Sequence, residues 1–498
     1  MVIATLRGQV FLGEFSSHPV LSGNTEEFPP DRLIVDLVYQ SILNLRFGHE
    51  PNAPKVLIVN VSLGNRRKPF DHQISAWARL LDRMAIQFGI LFVVSAGNHD
   101  APFLVRHFNG RAEFEDAEDD VRSRAVVDGL GMNLAQRRLL SPGETVNGLT
   151  IGALHHDSVP PANRGAAGAV IDPFPAVSFS NCSSALGPGF QTSVKPDVLF
   201  EGSRERLIVM RTGGGIDVRP TAATRIAGIK TAAPSPLGNA EGYTGGTSAA
   251  AAIASRTAHR IHDALQAAYG APFLQLAEIQ RAVLLKALMV HPAAWPADGA
   301  ELIREVLGPA DSREHVRQRD NIRRFFGYGS VDPDDAVACA ADRATFWAVG
   351  ELGREELKEI RVPIPVCLTG QARIHSMSAT LAWFTPIRPG QQTYRTVRLR
   401  LLDPTELDAL RISTARRQPD ANQSARGTVI HRRWEGDRAP AIPRGAVTVL
   451  SVQRELDRGV PVDEPVPFGL AVTITMPGEN RIYEEVLARV RPRPRIQP

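Results

Sequence analysis

Cysteine, long apolar runs and an excess of one charge are all scarce in this sequence, and each shortage removes a class of function. The 498 residues hold 3 cysteines, Cys182, Cys339 and Cys367, widely spaced and in no Cys-x-x-Cys pair. Neither a disulfide framework nor a thiolate zinc site is expected, and a reducing, cytoplasmic compartment is favoured. No stretch approaches the ~18 consecutive apolar residues of a membrane span. The opening segment, MVIATLRGQVFLGEF, has no apolar core followed by a small-residue cleavage site, so as written the chain reads as neither secreted nor membrane-spanning.

Charge is nearly balanced, with 57 Lys and Arg against 53 Asp and Glu and a net charge of +4. The two signs are interspersed, so no nucleic-acid or membrane partner is implied. Two local departures stand out. Residues 113–120 form an acidic run, read as a solvated loop, and Arg489, Arg491, Arg493 and Arg495 mark a basic tail. The acidic run lacks the spaced oxygen ligands and the glycine of a calcium loop. No His/Asp/Glu spacing resembles a metal site, and no cofactor is expected.

A chain of this length exceeds what one core usually serves, so two domains are expected. Hydrophobic residues at 43% and charged residues at 22% are ordinary for a soluble globular protein. From Asp31, a candidate N-cap, the apolar positions Leu33, Ile34, Leu37, Val38, Ile42 and Leu45 follow helical spacing to near Gly48. Residues 56–61, 90–95 and 149–154 are short apolar runs that suit strands buried on both faces, and residues 74–88 suit a helix. Strand, helix, strand in this rhythm implies a parallel α/β sheet. In such sheets the loops leaving the C-terminal strand ends build the site. Ser62-Leu63-Gly64 and Ser95-Ala96-Gly97-Asn98 occupy those positions.

After Gly245-Gly246-Thr247-Ser248 an alanine-rich stretch reads as a closely packed helix running to about Ala268, and another helix is expected over 277–289. From about Thr345 the pattern shifts to short alternating segments, 360–367, 379–384 and 394–402, broken by Pro and Gly. These read as a separate β-rich, sandwich-like domain. The expected organisation is a domain over 1–342 and a β-rich domain over 343–498.

A serine hydroxyl is a weak nucleophile and needs a base, a rigid seat and donors for an oxyanion. Gly246-Thr247-Ser248-Ala249 supplies the seat, because a serine at a helix N-terminus offers its amide and the helix dipole to developing negative charge. Alone, this segment reads first as a capped loop-to-helix junction. Asn98, after Ala96-Gly97 at a strand end, can present its side-chain amide to an oxyanion. Alone, it reads as a strand-terminating turn.

Together the segments are specific. Val59-Asn60-Val61-Ser62-Leu63-Gly64, Val93-Val94-Ser95-Ala96-Gly97-Asn98, Val177-Ser178-Phe179-Ser180-Asn181, Lys195-Pro196-Asp197 and Gly246-Thr247-Ser248-Ala249 stand in the order found in the subtilase family of serine peptidases. Gly327-Tyr328-Gly329-Ser330-Val331 resembles the motif that closes its catalytic domain, so the resemblance covers roughly residues 31–340. It implies that Ser248 attacks a peptide carbonyl. It further implies that Asn98 and the Ser248 amide stabilise the oxyanion, and that an extended polypeptide substrate is held by Ser62, Leu63 and Gly64 on one side and Ala96 and Gly97 on the other. Gly246 and Thr247 complete the substrate-binding set. Two alanines, Ala251 and Ala252, stand where subtilases usually carry Pro, a tolerable change because Pro is optional in a first helical turn.

The family's Asp-[Thr/Ser]-Gly and His-Gly-Thr motifs are absent from this sequence. Upstream of Asn98 the candidates are Asp31, Asp36, Asp71, Asp82, His18, His49 and His72, none with the required neighbours. His259 lies eleven residues along the Ser248 helix, about 16 Å at ~1.5 Å per residue and beyond proton-transfer reach. His99 reads as a loop histidine and His155-His156 merely follow a strand. The expectation is an N-terminally truncated peptidase whose first strand and helix, with Asp and His, are missing or supplied by a separate segment. Its sheet is expected to expose an apolar edge. The alternative is a catalytically inactive, peptide- or protein-binding module in which residues 345–498 contact a partner.

Overall fold

The computed structural model describes residues 2–6, 9–12, 21–22, 25–26, 32–47, 50–51, 53–157, 170–212, 215–224, 227–233, 240–309, 311, 314–337, 341–390, 393–404, 410–455 and 462–490. Asp31, His18, His49, Cys339 and the arginines at 491, 493 and 495 lie outside them, as does the Arg489 side chain. The chain divides into two compact units, Met1–His259 with Ala293–Pro333, and Arg260–Pro292 with Asp334–Pro498. The division therefore differs from a single cut after residue 342, because the segment Arg260–Pro292 joins the C-terminal strands.

The first unit is an α/β fold. In chain order its principal elements are β1 (Val2–Leu6), β2 (Gln9–Leu12), α1 (Ile34–Phe47), β3 (Ile58–Val61), β4 (Asn65–Pro69), α2 (Ala76–Phe88), β5 (Leu91–Ser95), α3 (Arg111–Asp116), α4 (Asp119–Met132), β6 (Leu140–Ser141), β7 (Leu149–Leu154), β8 (Val198–Glu201) and the start of α5 (Gly246–Tyr269). The main sheet runs β8-β7-β5-β3-β1-β2. The pairs β3–β5, β5–β7 and β7–β8 are parallel, with Ile58 opposite Leu91, Leu149 opposite Val93 and Ile151 opposite Val198. Every residue of β3 and β5 is buried, as expected for strands covered on both faces.

Helix boundaries follow local chemistry. The Ser75 hydroxyl caps α2 by accepting the Ala78 N–H at 3.1 Å, and Gly89 closes it with φ 62° in the left-handed region. A second layer of core gathers Phe174, Phe179, Phe325 and Phe326, with the Phe179 ring 4.5 Å from Phe174, 5.4 Å from Phe325 and 5.3 Å from Phe326.

Two expectations are corrected. The β3 edge is not bare, because β1 pairs with it antiparallel, Val2 opposite Val61 and Ala4 opposite Val59, and β2 extends the sheet outward. The acidic run is not a loop but the end of α3 and the start of α4. Its carboxylates form helical-spacing ion pairs, Arg111–Glu115 at 2.6 Å and Arg124–Asp120 at 2.8 Å.

The second unit contains the rest of α5, α6 (Glu278–Val290) and strands β9 (Arg343–Leu352), β10 (Leu357–Pro363), β11 (His375–Trp383), β12 (Leu399–Leu401), β13 (Ser413–Thr414), β14 (Val429–Gly436), β15 (Val447–Arg454) and β16 (Val466–Thr475). They form a five-stranded antiparallel sheet, β9-β16-β11-β14-β13, and a three-stranded one, β10-β15-β12. One core draws Leu381, Trp383, Trp434 and Leu470 from the first sheet and Val362, Leu399, Leu450 and Val452 from the second. That is the sandwich-like arrangement expected of alternating strands. Helix α6 packs on β16 and β11 and is buried continuously from Ala282 to Val290, which is why it belongs with these strands. Among the described residues no helix is long and apolar enough to cross a membrane.

Candidate active site

The C-terminal ends of β3 and β5 and the N-terminus of α5 converge, and they bring together most of the residues singled out from the sequence. Gly246 opens α5 with its N–H donated to the Gly202 carbonyl at 2.7 Å, just past the end of β8. Its φ is +73°, and a Cβ there would lie 2.6 Å from Asn98 Oδ1, so only glycine fits. Ser248 follows in the first turn, half-buried, where backbone N–H groups have no acceptor inside the helix.

Ser248 and Ser62 are joined reciprocally. The Ser248 hydroxyl donates to the Ser62 carbonyl at 3.2 Å, and the Ser62 hydroxyl donates to the Ser248 carbonyl at 3.0 Å. Asn60 Nδ2 in turn donates to Ser62 Oγ at 3.0 Å. The loop leaving β3 is thereby held against the helix start. Leu63 is half-buried and Gly64 exposed, so this loop turns outward within two residues.

On the other side, Thr247 is buried and donates to Asn98 Oδ1 twice, from its N–H at 2.9 Å and its hydroxyl at 3.0 Å. The Gly97 N–H donates to Thr247 Oγ1 at 3.2 Å. Because both Thr247 groups donate, the Asn98 atom they meet must be oxygen, which leaves Nδ2 as the donor of that amide. Asn98 also bridges antiparallel to Ser184, flanked by the Ala185 N–H donating to Gly97 O at 2.9 Å and the His99 N–H donating to Ser183 O at 2.7 Å. Ala96 is fully buried, with its N–H donating to Ile151 O at 2.9 Å and its carbonyl accepting Leu140 N–H at 2.9 Å. The N–H groups of Ala96 and Gly97 are thus both used internally. Neither has an amide left to donate to a guest strand.

Two of the histidines considered from the sequence are His99 and His259. His99 Nε2 donates to the Arg138 carbonyl at 2.7 Å, and burial lowers its pKa below the usual imidazole value. His259 sits well along the unbroken helix α5. The Ser248 hydroxyl makes no hydrogen bond to a histidine among the described residues.

Two relationships carried no sequence signal. His155, expected merely to follow a strand, is buried with Nε2 donating to Asp172 Oδ1 at 2.9 Å, while its Nδ1 has no partner among the described residues. Burial alone would raise the Asp172 pKa, but the hydrogen bond and charge of His155, together with the Phe174 N–H and Arg206, outweigh it and the net shift is downward. The pair spans seventeen residues, with no motif to announce it. Arg66, in β4, reaches Asp100, two residues past Asn98, with Nη1 2.8 Å from Oδ2. Among the described residues no cluster of His, Cys, Asp and Glu is arranged to hold a metal ion.

Comparison with known proteins agrees with this geometry. A model of the subtilase family of peptidases matches residues 31–329, more than half of the chain. An uncharacterized protein, y4bN, from Sinorhizobium fredii (strain NBRC 101917 / NGR234) is 25% identical over 338 residues, covering 67% of this chain and 68% of that protein.

Proposed function

Because the chain belongs to the subtilase family, whose members have a peptidase-like function, we propose that it is a serine-type endopeptidase acting through Ser248. The observation that carries this reading is the shared seat of Ser248 and Asn98. Thr247, the residue before the nucleophile, fixes the Asn98 amide by two hydrogen bonds, so hydroxyl and amide donor are set by one turn of chain.

In the proposed reaction the Ser248 Oγ–H bond breaks, its proton passes to an imidazole base, and Oγ bonds to the substrate carbonyl carbon. The carbonyl oxygen becomes an oxyanion that accepts from Asn98 Nδ2 and the Ser248 N–H, aided by the α5 dipole. The C–N bond then breaks, the amine leaves with the proton, and water releases the acyl group from Ser248. Substrate lies extended between Ser62-Leu63-Gly64 and Ala96-Gly97, with Gly246 and Thr247 beneath it. The proposed base is a histidine oriented by an aspartate, and no described residue fills either role beside the Ser248 hydroxyl.

A second reading, a peptide-binding module without turnover, is favoured by one observation: the Ser248 hydroxyl donates to the Ser62 carbonyl rather than to any base. Hydrolysis of a quenched fluorescent peptide library separates the two. The peptidase reading expects cleavage, and loss of it in Ser248→Ala. Binding of uncleaved peptides, unchanged by Ser248→Ala, would establish the second reading instead.

A further inference from the structure

Immediately after Ser62-Leu63-Gly64 the chain enters β4, Asn65-Arg66-Arg67-Lys68-Pro69, a strand of three consecutive cations. All three are exposed. Strand β4 is held to β6 only at its ends, Asn65 opposite Ser141 and Pro69 opposite Leu140, with a register shift between them. The cationic middle therefore bulges away from its neighbour. At ~3.3 Å per residue Asn65 stands roughly 10 Å beyond Ser62, and because Asn65 and Pro69 face the adjacent residues Ser141 and Leu140, the three cations project from near that point.

Arg66 links this strand to the opposite side of the site through Asp100, and both side chains of that pair are 68% exposed. An exposed pair of this kind contributes little and exchanges partners readily. A carboxylate on a bound peptide can thus take Arg66 from Asp100.

The geometry points to a substrate class: the groove beside Ser248 selects polypeptide segments carrying acidic residues about three to five positions from the bond that faces Ser248. This rests on the reading of the site as a peptide groove, but not on turnover. Guest carboxylates would pair with Arg66, Arg67 and Lys68 while the guest backbone follows Ser62-Leu63-Gly64. Asp100 acts as an internal competitor, standing where the guest carboxylate would stand. Charge complementarity here adds specificity more than bulk affinity.

The test is fluorescence anisotropy of the full chain with labelled twelve-residue peptides, identical except for three central Glu, Ser or Lys residues. At low salt the Glu peptide is expected to bind at least tenfold tighter than the Lys peptide, with the margin shrinking severalfold at 0.5 M salt as screening shortens the interaction range. Arg67→Glu with Lys68→Glu should reverse the order. Asp100→Asn should tighten the Glu peptide by two- to fivefold and leave the Ser peptide unchanged. These substitutions are on the surface, and an unchanged thermal midpoint verifies that the variants fold. Equal binding of all three peptides, or indifference to both sets of substitutions, overturns the inference alone. Binding of none overturns the peptide-groove reading and the inference with it. Displacement of the Glu peptide by a single-stranded oligonucleotide at lower concentration than by unlabelled Glu peptide overturns the assignment to acidic polypeptide.

Discussion

Thr247 gives two hydrogen bonds to a single atom, Asn98 Oδ1, at 2.9 Å from its backbone N–H and 3.0 Å from its hydroxyl. One of these survives loss of the side chain and the other does not. In Thr247→Val the Asn98 amide keeps one anchor, while the Gly97 N–H loses the oxygen it donates to at 3.2 Å. A buried donor left without a partner costs about 1–3 kcal/mol, which urea unfolding should register. Thr247→Ser, which keeps the hydroxyl, should recover most of that loss. Equal stability of the Val and Ser variants would refute the anchoring role.

Gly246→Ala tests the fit at the helix start. The substitution forces an L-residue into φ +73° and sets a methyl 2.6 Å from Asn98 Oδ1. The conformational term alone is about 1–2 kcal/mol. The clash falls on the Asn98 side chain, so reactivity at Ser248 should drop further than stability does. The comparison is a reaction rate with an active-serine probe against a urea midpoint. A variant that loses stability but reacts at the parental rate would show that the Asn98 position does not matter.

The second unit should be sensitive to acid. His291, just past the end of α6, shares hydrogen bonds with Thr380 Oγ1 at 2.7 Å and Thr473 Oγ1 at 2.6 Å, and His431 Nδ1 meets the same Thr380 oxygen at 2.7 Å. Burial holds the His291 pKa down to about 3, with His431 and Arg343 adding to it, and burial with Arg433 holds His431 at about 4. In the unfolded chain both histidines bind protons near pH 6.5, so the unfolded state gains protons first as pH falls. Stability is therefore full above pH 6.5 and declines toward pH 4, by up to about 1.4 kcal/mol per pH unit per histidine. Urea midpoints followed by tryptophan fluorescence at pH 7, 6 and 5 should fall in step, since Trp383 and Trp434 lie in that core. His291→Gln, which can bond both threonines without titrating, should flatten the slope; an unchanged slope would assign the acid sensitivity elsewhere.

Much of the first unit was legible because buried parallel strands write themselves as uninterrupted apolar runs. The run at 149–154 coincides with β7, and helices expected over 74–88 and 277–289 appear as α2 and α6 with ends shifted by a residue or two. The placement of Ser62 and Asn98 followed from strand-end logic, and that of Ser248 beside them from the subtilase resemblance. What stayed hidden was nonlocal. The pairing of β1 with β3 depends on an edge being free, which no local pattern in residues 2–6 reveals. The acidic run did carry a helical signal, Arg111 with Glu115 and Asp120 with Arg124 at four-residue spacing, but charge density suggested a loop. The pairing of His155 with Asp172 and of Arg66 with Asp100 is set by loops meeting in space.

The most direct measurement is active-site labelling with a fluorophosphonate probe, followed by mass spectrometry of the modified peptide. A serine nucleophile beside a fixed amide donor predicts phosphonylation at Ser248. The label should be lost in Ser248→Ala and formed about 10²- to 10³-fold more slowly in Asn98→Ala, the usual worth of one oxyanion donor. No labelling at Ser248, or labelling that survives Ser248→Ala, would contradict the account.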